Sequence, residues 1–248
     1  MDHRATRHRV RRAALCAAAA TLAAAGVLTY GASSAFAATL LTDTFDDGNA
    51  DGWARSSGSW AVVTDGSPVY RQSGTSGDAR SLAGQTTWTN YSVQARVKPT
   101  GYGATNRFVG VIARAQSSSN YYALVVTGSG DVRIVKRAGG APVTLGTGTA
   151  GIATGSWGTL RLDANGSSLR GYVNGTLAVT ASDAAFPAGR AGVAAWYASA
   201  SFDDVAVETL SGAPPTDEPS GGATLPPAGP PLDPGAPPIG FASVNAWG

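Results

Sequence analysis

The stretch that decides the fold is RFVGVIARAQSSSNYYALVV, Arg107–Val126. Two apolar, β-branched runs lie on either side of the polar loop Gln116–Asn120, and this pattern predicts a β-hairpin. Neither run contains proline, and nearly every residue in both is apolar, which is typical of strands in the centre of a sheet. Arg114 alone interrupts the apolar runs with a charge, and Tyr121 and Tyr122 follow just across the loop. The stretch therefore predicts a central β-hairpin with one guanidinium group beside aromatic rings.

Outward from this hairpin, short β-type runs alternate with clusters of Gly, Asn, Asp and Ser. Asn-Gly pairs at Asn165 and Asn174 predict tight hairpin turns. About a dozen strands in about 170 residues, without a helical period, predict an all-β antiparallel β-sandwich or jelly roll. The other predicted strands are Leu40–Phe45, Trp60–Val63, Val69–Gln72, Ser81–Ala83, Tyr91–Lys98, Asp131–Arg137, Val143–Gly146, Thr159–Ala164, Leu169–Val173, Leu177–Thr180, Arg190–Tyr197 and Ala200–Thr209.

Residues 1–37 do not resemble part of a folded domain. Five arginines precede the alanine-rich apolar stretch Ala13–Tyr30, and small residues follow that end in Ala35-Phe36-Ala37. This order is typical of a cleaved secretory signal peptide, so we expect a secreted, extracellular protein that is not attached to a membrane after cleavage. A single transmembrane anchor is the alternative, because about 18 apolar residues is near the lower limit for spanning a bilayer.

Removal of this segment changes the chemistry that the chain offers. Five of the 18 basic residues and one of the 16 acidic residues leave with it, so residues 38–248 carry 13 basic and 15 acidic residues and a net charge of −2. That balance argues against nucleic acid as a partner. The one cysteine and both histidines leave as well, which excludes disulfides, Ser-His-Asp and Cys-His catalysis and the usual zinc sites. Glu208 and Glu218 are the only glutamates left for the paired carboxylates of a glycanase, so we predict no catalytic residues in this chain.

The composition changes again after residue 210. Residues 211–239 hold ten of the 14 prolines of the chain, with Gly, Ala and Ser between them, and this composition predicts a linker with polyproline character. Only GFASVNAWG follows, at residues 240–248, and nine residues are too few to fold alone. The predicted organisation is a signal peptide over residues 1–37, a β-sandwich module over residues 38–210, the linker and a C-terminal stub.

The module resembles the concanavalin-like, laminin-G-like sandwich modules that are attached to secreted carbohydrate-active enzymes. The stub and the residues before it, PIGFASVNAWG, are similar to the segment that opens the catalytic domain of bacterial pectate lyases. Together the two resemblances imply the front part of a modular pectate lyase, cut before its catalytic domain. None of the calcium-binding aspartates or catalytic basic residues of that lyase family is present here. The stretches that carry the first resemblance are DTFDDGNADGW, NYSVQARV, GVIARAQSSSNYYALVV, WGTLRLDANG, YVNGTLAV, DAAFPAGRAGV and FDDVAVE.

The resemblance implies a noncatalytic module that binds polysaccharide and targets a pectate-lyase-like enzyme to pectin or another plant cell-wall glycan. Sugars offer flat apolar faces and hydroxyl groups, so a site needs aromatic platforms and a few fixed polar groups, and arginine can hold the carboxylate of a uronate. Strand alternation places Arg114, Tyr121 and Trp196 opposite the core, and we predict these three residues as the ligand-binding patch. The opposite hairpin register would exchange Tyr121 for Tyr122. In the alternative interpretation the aromatic rings only pack, and Arg114 pairs with a local carboxylate.

Related modules hold a structural calcium ion between the first and the last strand regions, and hard oxygen ligands suit that ion. Asp43 and Asp203 are the side-chain ligands that we predict from this resemblance. The alternative is that DDGNADG, residues 46–52, forms an ordinary Asx-rich turn. We expect no organic cofactor and a monomeric module. The alternative function is a structural spacer or adhesion domain of laminin-G type that binds no glycan.

Overall fold

Fifteen β-strands in two antiparallel sheets make up residues 37–211, the part of the chain that the computed structural model describes. The prediction of an all-β antiparallel sandwich is confirmed. Within residues 37–211 no helix is long and apolar enough to cross a membrane. The predicted signal peptide, linker and stub lie outside the described residues, apart from Ala37 and Ser211 at their boundaries. The strands are β1 (Thr39–Asp43), β2 (Ala54–Ser56), β3 (Trp60–Asp65), β4 (Ser67–Gln72), β5 (Asp78–Ala83), β6 (Tyr91–Tyr102), β7 (Phe108–Ser117), β8 (Asn120–Thr127), β9 (Val132–Ala138), β10 (Val143–Gly148), β11 (Gly158–Asn165), β12 (Ser168–Val173), β13 (Thr176–Ser182), β14 (Arg190–Trp196) and β15 (Ala198–Thr209).

The first sheet, sheet A, has the strand order β13-β12-β11-β6-β15-β4-β3, and β1 pairs with β15 beside this path. The second sheet, sheet B, has the order β10-β9-β8-β7-β14-β5-β2. The predicted central hairpin is β7–β8 and occupies the middle of sheet B. Its side chains contribute to apolar clusters on both faces of the sheet. This double burial explains why its sequence is almost continuously apolar.

The inner faces of the two sheets form one core. Val109, Val111 and Leu124 from sheet B pack in the same cluster as Val93 and Leu160 from sheet A. One part of this core is aromatic, with ring centroids 4.8–5.9 Å apart between neighbouring pairs. Such burial supplies the main stabilisation of a domain whose described residues contain no cysteine. The aromatic residues are Phe45, Trp53, Trp60, Tyr70 and Phe202.

Strand ends account for most differences from the sequence prediction. The hairpin loop is shorter than predicted, because Ser117 pairs with Asn120 and only two residues lie between the strands. The backbone of the two strands continues to pair here although the side chains are polar. Composition alone therefore predicted a loop that is too long. β2 was not predicted, since its sequence Ala-Arg-Ser has no apolar run; it pairs with β5 at the edge of sheet B.

A β-bulge at Arg114 breaks the alternation of β7. Between Arg190 and Gly192 of β14, the paired position on β7 changes by three residues, so β7 contains one extra residue. Arg114 has a φ of 51°, in the left-handed region. Ala113 on one side of the bulge faces the core, whereas Ala115 on the other side packs on the outer face of sheet B. The bulge therefore takes the Arg114 side chain out of the alternating pattern.

Candidate functional site

The outer face of sheet B is concave. Asp78 on β5 and Arg137 on β9 form an ion pair across this face, although β8, β7 and β14 lie between their strands. In a flat sheet four strand spacings of about 4.8 Å would separate them by about 19 Å, beyond the reach of both side chains. The sheet must therefore curve toward its outer face. The floor of this concave face is apolar and consists mainly of Leu82, Phe108, Ile112, Ala123, Val125, Val135 and Ala194.

At one end of the concave face, Arg107, Trp196 and Tyr197 form a group that we call the aromatic rim. The Arg107 Cζ atom lies 5.6 Å from the centroid of the Trp196 ring and 4.7 Å from that of Tyr197. The two rings meet edge to face with centroids 5.9 Å apart. Trp196 is half-buried against Phe108, whereas Tyr197 is 37% exposed. Rings held in this way can stack on the apolar face of a sugar.

Tyr197 is the single residue between β14 in sheet B and β15 in sheet A. Its φ of 51° is unusual for a bulky residue and costs backbone strain. Two hydrogen bonds hold this conformation: its amide donates to the Gly77 carbonyl at 2.7 Å, and its carbonyl accepts from the Gly103 amide at 2.8 Å. The crossover between the sheets thus fixes where the Tyr197 ring lies at the rim.

Next to the rim, Asp78, Arg80 and Arg137 form a group that we call the arginine cluster. Asp78 of β5 is paired with Trp196 of β14, so the arginine cluster lies next to the aromatic rim. The Arg80 Nη1 atom lies 2.6 Å from Asp78 Oδ2, and Arg137 Nη1 pairs with the same oxygen. The Arg80 Cζ atom also lies 5.8 Å from the ring centroid of Tyr121. The arginine cluster therefore continues the site from the aromatic rim toward the middle of the concave face.

Charge in the arginine cluster is not balanced. Two guanidinium groups share one carboxylate oxygen, and the side chain of Arg80 is only 7% exposed. Arg80 Nε and Arg137 Nε are buried and make no hydrogen bond, and the 2.6 Å contact from Arg80 Nη1 to Asp78 is an ion pair. Burial opposes the charge on Arg137, but the interactions with Asp78 and Tyr121 together outweigh it and raise the pKa of Arg137.

Two of the three predicted ligand-binding residues lie on the same face of sheet B. Tyr121 and Trp196 both lie on the concave face, in the same outer cluster. Tyr122 faces the core instead, which settles the hairpin register. Tyr121 is only 1% exposed, so its ring supports Arg80 from below and does not form an open platform. The accessible aromatic surface comes from Trp196 and from Tyr197, which was not predicted.

Arg114 lies elsewhere, and its predicted placement in the ligand-binding patch is wrong. The bulge turns it into the end of the sandwich, where it is 1% exposed. Burial lowers the pKa of Arg114 from its usual value. The guanidinium group therefore joins loops inside the protein and is not available on the concave face. It donates to the carbonyls of Thr89 at 2.9 Å, Gly166 at 2.6 Å and Phe186 at 3.2 Å, and to Asn90 Oδ1 at 3.2 Å.

The two predicted calcium ligands are already engaged by protein groups. Asp43 accepts hydrogen bonds from the Phe45 amide at 2.9 Å and from Trp53 Nε1 at 2.7 Å. Asp203 accepts from the Asp204 amide at 2.8 Å and forms an ion pair with Arg96 at 3.5 Å. Among residues 37–211 no group of three or more metal-ligating side chains converges. These contacts do not fit the predicted calcium site, and calcium binding stays a prediction.

The outer face of sheet A offers a contrasting surface around Trp157. The Arg96 Cζ atom lies 4.8 Å from the centroid of the Trp157 ring, and Lys98 Nζ lies 5.7 Å from it. Here the cations have carboxylate partners: Arg96 pairs with Asp203, and Lys98 contacts Asp65 at 3.0 Å. This surface therefore also combines an aromatic ring with two cations, here an arginine and a lysine that both have carboxylate partners, which makes it a control for the concave face.

Comparison with a family model gives a match over most of the described domain. The model of a family described as 3-keto-alpha-glucoside-1,2-lyase-like domain matches residues 41–208. No curated protein matches the chain in sequence.

Solved structures with a similar fold include several modules of bacterial proteins. The carbohydrate-binding module CBM66 from Bacillus subtilis has a TM-score of 0.56 and 22% identity, with 64% of this chain and 96% of that chain covered. Domain 4 of AbnA, an extracellular GH43 arabinanase from Geobacillus stearothermophilus solved with arabinotriose, has a TM-score of 0.51 and 16% identity, with 70% and 93% covered. The GH43 protein BlXynB from Bacillus licheniformis has a TM-score of 0.53 and 19% identity, with 68% and 39% covered.

Proposed function

Because the chain belongs to the family of 3-keto-alpha-glucoside-1,2-lyase-like domains over residues 41–208, we propose that it is a polysaccharide-binding module that uses the concave face of sheet B. The observation that carries this proposal is the aromatic rim, where Trp196 and Tyr197 present ring surface next to polar groups at the end of a curved sheet. Such a surface matches the alternating apolar faces and hydroxyl groups of a sugar chain. The similar structures support the proposal through their names, since two belong to modules of carbohydrate-active proteins.

We further propose that the module does not catalyse a reaction. Residues 37–211 contain no histidine or cysteine. The carboxylate in the arginine cluster, Asp78, has one oxygen occupied by two guanidinium groups, which leaves it poorly placed to accept a proton from a substrate. Release of a product from a 3-keto-glycoside or from polygalacturonate by this chain would contradict this part of the proposal.

The proposed role in the cell is the targeting of a linked, pectate-lyase-like enzyme. In this proposal the protein is secreted, and the module holds the enzyme near pectin or another plant cell-wall glycan. A tether of this kind raises the local concentration of enzyme on its substrate without any new catalytic contact. The sequence of residues 238–248 and the proline-rich segment before it support this finer proposal.

Binding is tested with the full chain by affinity electrophoresis in gels that contain pectin, arabinan, xylan or fructan. We expect retention on at least one polymer, and the Trp196→Ala and Tyr197→Ala variants should each weaken it about tenfold or more, because stacking on an aromatic ring dominates such sites. The control is Trp157→Ala, which removes the matched ring on sheet A and should leave retention unchanged. If no polymer retains the protein, the module is a spacer or adhesion domain. If only Trp157→Ala weakens retention, the site lies on sheet A.

A further inference from the structure

The arginine cluster belongs to the face of the described domain on which cations exceed carboxylates. Strand register places Arg80, Arg133, Arg137 and Arg190 on the concave face, each opposite a residue of the outer apolar cluster. Asp78 is the one acidic residue in the seven strands of sheet B, and Arg133 pairs with Asp131 in the loop before β9. Arg80 and Arg137 share the one carboxylate of Asp78.

Three of these arginines also keep buried donors without partners. Arg80 Nε, Arg137 Nε and Arg190 Nε make no hydrogen bond although they are shielded from solvent. A buried guanidinium donor that makes no hydrogen bond costs free energy, and such groups need an explanation. On the outer face of sheet A, Arg71 uses its donors: Nη2 donates to Asp65 Oδ2 at 2.7 Å and Nε donates to Ser201 Oγ at 2.9 Å.

The arginine cluster is also reachable. The side chains of Asp78 and Arg137 are 19% and 17% exposed, whereas the side chain of Arg80 is 7% exposed. The half-buried Trp196 ring is next to Asp78 in the register, so a sugar stacked at the aromatic rim would place a neighbouring sugar over the arginine cluster. A planar carboxylate is the anion that the forked donors of arginine fit best.

We propose that the arginine cluster is a carboxylate subsite, and that the ligand of the concave face is an acidic glycan containing uronic acid residues. The carboxylate of one sugar pairs with the guanidinium group of Arg137, which reaches the surface and shares Asp78 with the more buried Arg80. This inference rests on the proposed function and adds the chemical class of its ligand. The aromatic rim supplies stacking, which any glycan can use, and the arginine cluster supplies selection for negative charge.

The test compares polygalacturonate with the same polymer after its carboxyl groups have been reduced to hydroxymethyl groups. Retention of the full chain is measured by affinity electrophoresis, and binding of galacturonic acid oligomers by calorimetry. We expect at least tenfold tighter binding to the acidic polymer, and weaker binding as salt rises from 50 mM, because exposed charge pairs are screened. Arg137→Gln should remove most of this preference, as should Arg80→Gln. Arg71→Gln, on sheet A, is the control and should keep it.

The outcomes separate this inference from the proposed function. Equal retention on the two polymers, with a loss in Trp196→Ala, would overturn the carboxylate subsite and leave glycan binding in place. A preference for the acidic polymer that survives in Arg137→Gln would also overturn the assignment. No retention on either polymer, or on any neutral glycan, would overturn the proposed function and this inference together. Arg137 is near the surface, so its variant remains informative if Arg80→Gln does not fold.

Discussion

At the scale of single residues, Arg114 shows how a charged side chain that was predicted to bind a ligand can stabilise the fold instead. Its guanidinium group joins three loop carbonyls and the Asn90 side chain, which belong to segments far apart in the sequence. Its amide also donates to the Tyr91 hydroxyl at 2.5 Å, and burial raises the pKa of that tyrosine. The positive φ of the bulge is therefore held by interactions on both the main chain and the side chain of Arg114.

We predict that Arg114→Met lowers the free energy of unfolding by about 2–4 kcal/mol, since it removes several hydrogen bonds from a charged buried group. Arg114→Lys should recover less than half of this loss, because one ammonium group cannot reach carbonyls in three directions. Urea unfolding followed by tryptophan fluorescence measures both values. Arg133→Met, which breaks a surface ion pair with Asp131, should cost less than about 1 kcal/mol. Loss of glycan retention by the folded fraction of Arg114→Met would contradict a purely internal role.

At the scale of elements, the concave face depends on small residues in the middle of sheet B. Gly110 of β7 lies between Ala194 of β14 and Val125 of β8 in the register row that also contains Arg80. A Cβ atom on Gly110 would lie 2.0 Å from the Leu124 carbonyl oxygen. Glycine therefore permits the close approach of β7 and β8 under the arginine cluster.

We predict that Gly110→Ala lowers the free energy of unfolding by about 2 kcal/mol or more, because the backbone of the neighbouring strand has to move. The control is Gly140→Ala, where an added Cβ atom has no neighbour within 4 Å; its effect should stay within about 0.5 kcal/mol. Thermal unfolding and urea titration of the two variants give the comparison. Equal stability of Gly110→Ala and wild type would show that β7 and β8 can separate at no cost.

The sequence was sufficient for the strands and for most of their faces, since alternation depends only on neighbouring residues. It placed Val109 and Val111 toward the core and Trp196 away from it, as the structure has them. It could not reveal the bulge, because one extra residue in β7 is defined by its pairing with β14. It also could not bring Asp78 to Arg137, 59 residues apart, because that contact depends on strand order and curvature.

At the scale of the whole molecule, the two outer faces carry different charge arrangements. On sheet A, cations and carboxylates alternate and pair, as in Arg71 with Asp65 and Arg161 with Asp163. On sheet B, arginines exceed carboxylates, while residues 38–248 carry a net charge of −2. An acidic glycan would therefore be attracted to one face of a protein whose overall charge is weakly negative, and this attraction would orient it toward the concave face.

Stability against acid is also a property of the whole domain. The carboxylates of the domain do not all change its free energy of unfolding in the same direction as the pH falls. Burial raises the pKa of Asp203 because it favours the protonated form. The contribution of Asp203 to the stability of the domain therefore increases as the pH falls. Burial opposes the charge of Asp183 too, but hydrogen bonds from Lys136 and Tyr122 outweigh it and lower its pKa. The hydrogen bond from Lys98 likewise lowers the pKa of Asp65. Carboxylates with a lowered pKa are the more numerous, so we expect a net loss of stability in acid.

We predict that Asp183→Asn lowers the free energy of unfolding by about 1–2 kcal/mol at pH 7, because it removes the ion pair with Lys136. The pKa of Asp183 is lower in the folded state than the usual value of 3.8, so its contribution is complete above that value and is lost as the pH falls below it. The difference between wild type and variant should therefore be constant from pH 5 to pH 8 and shrink toward zero near pH 2. Urea titrations across this range measure it, with Asp131→Asn on the surface as a small-effect control. A difference that grows in acid would mean that burial, and not the ion pair, dominates at Asp183.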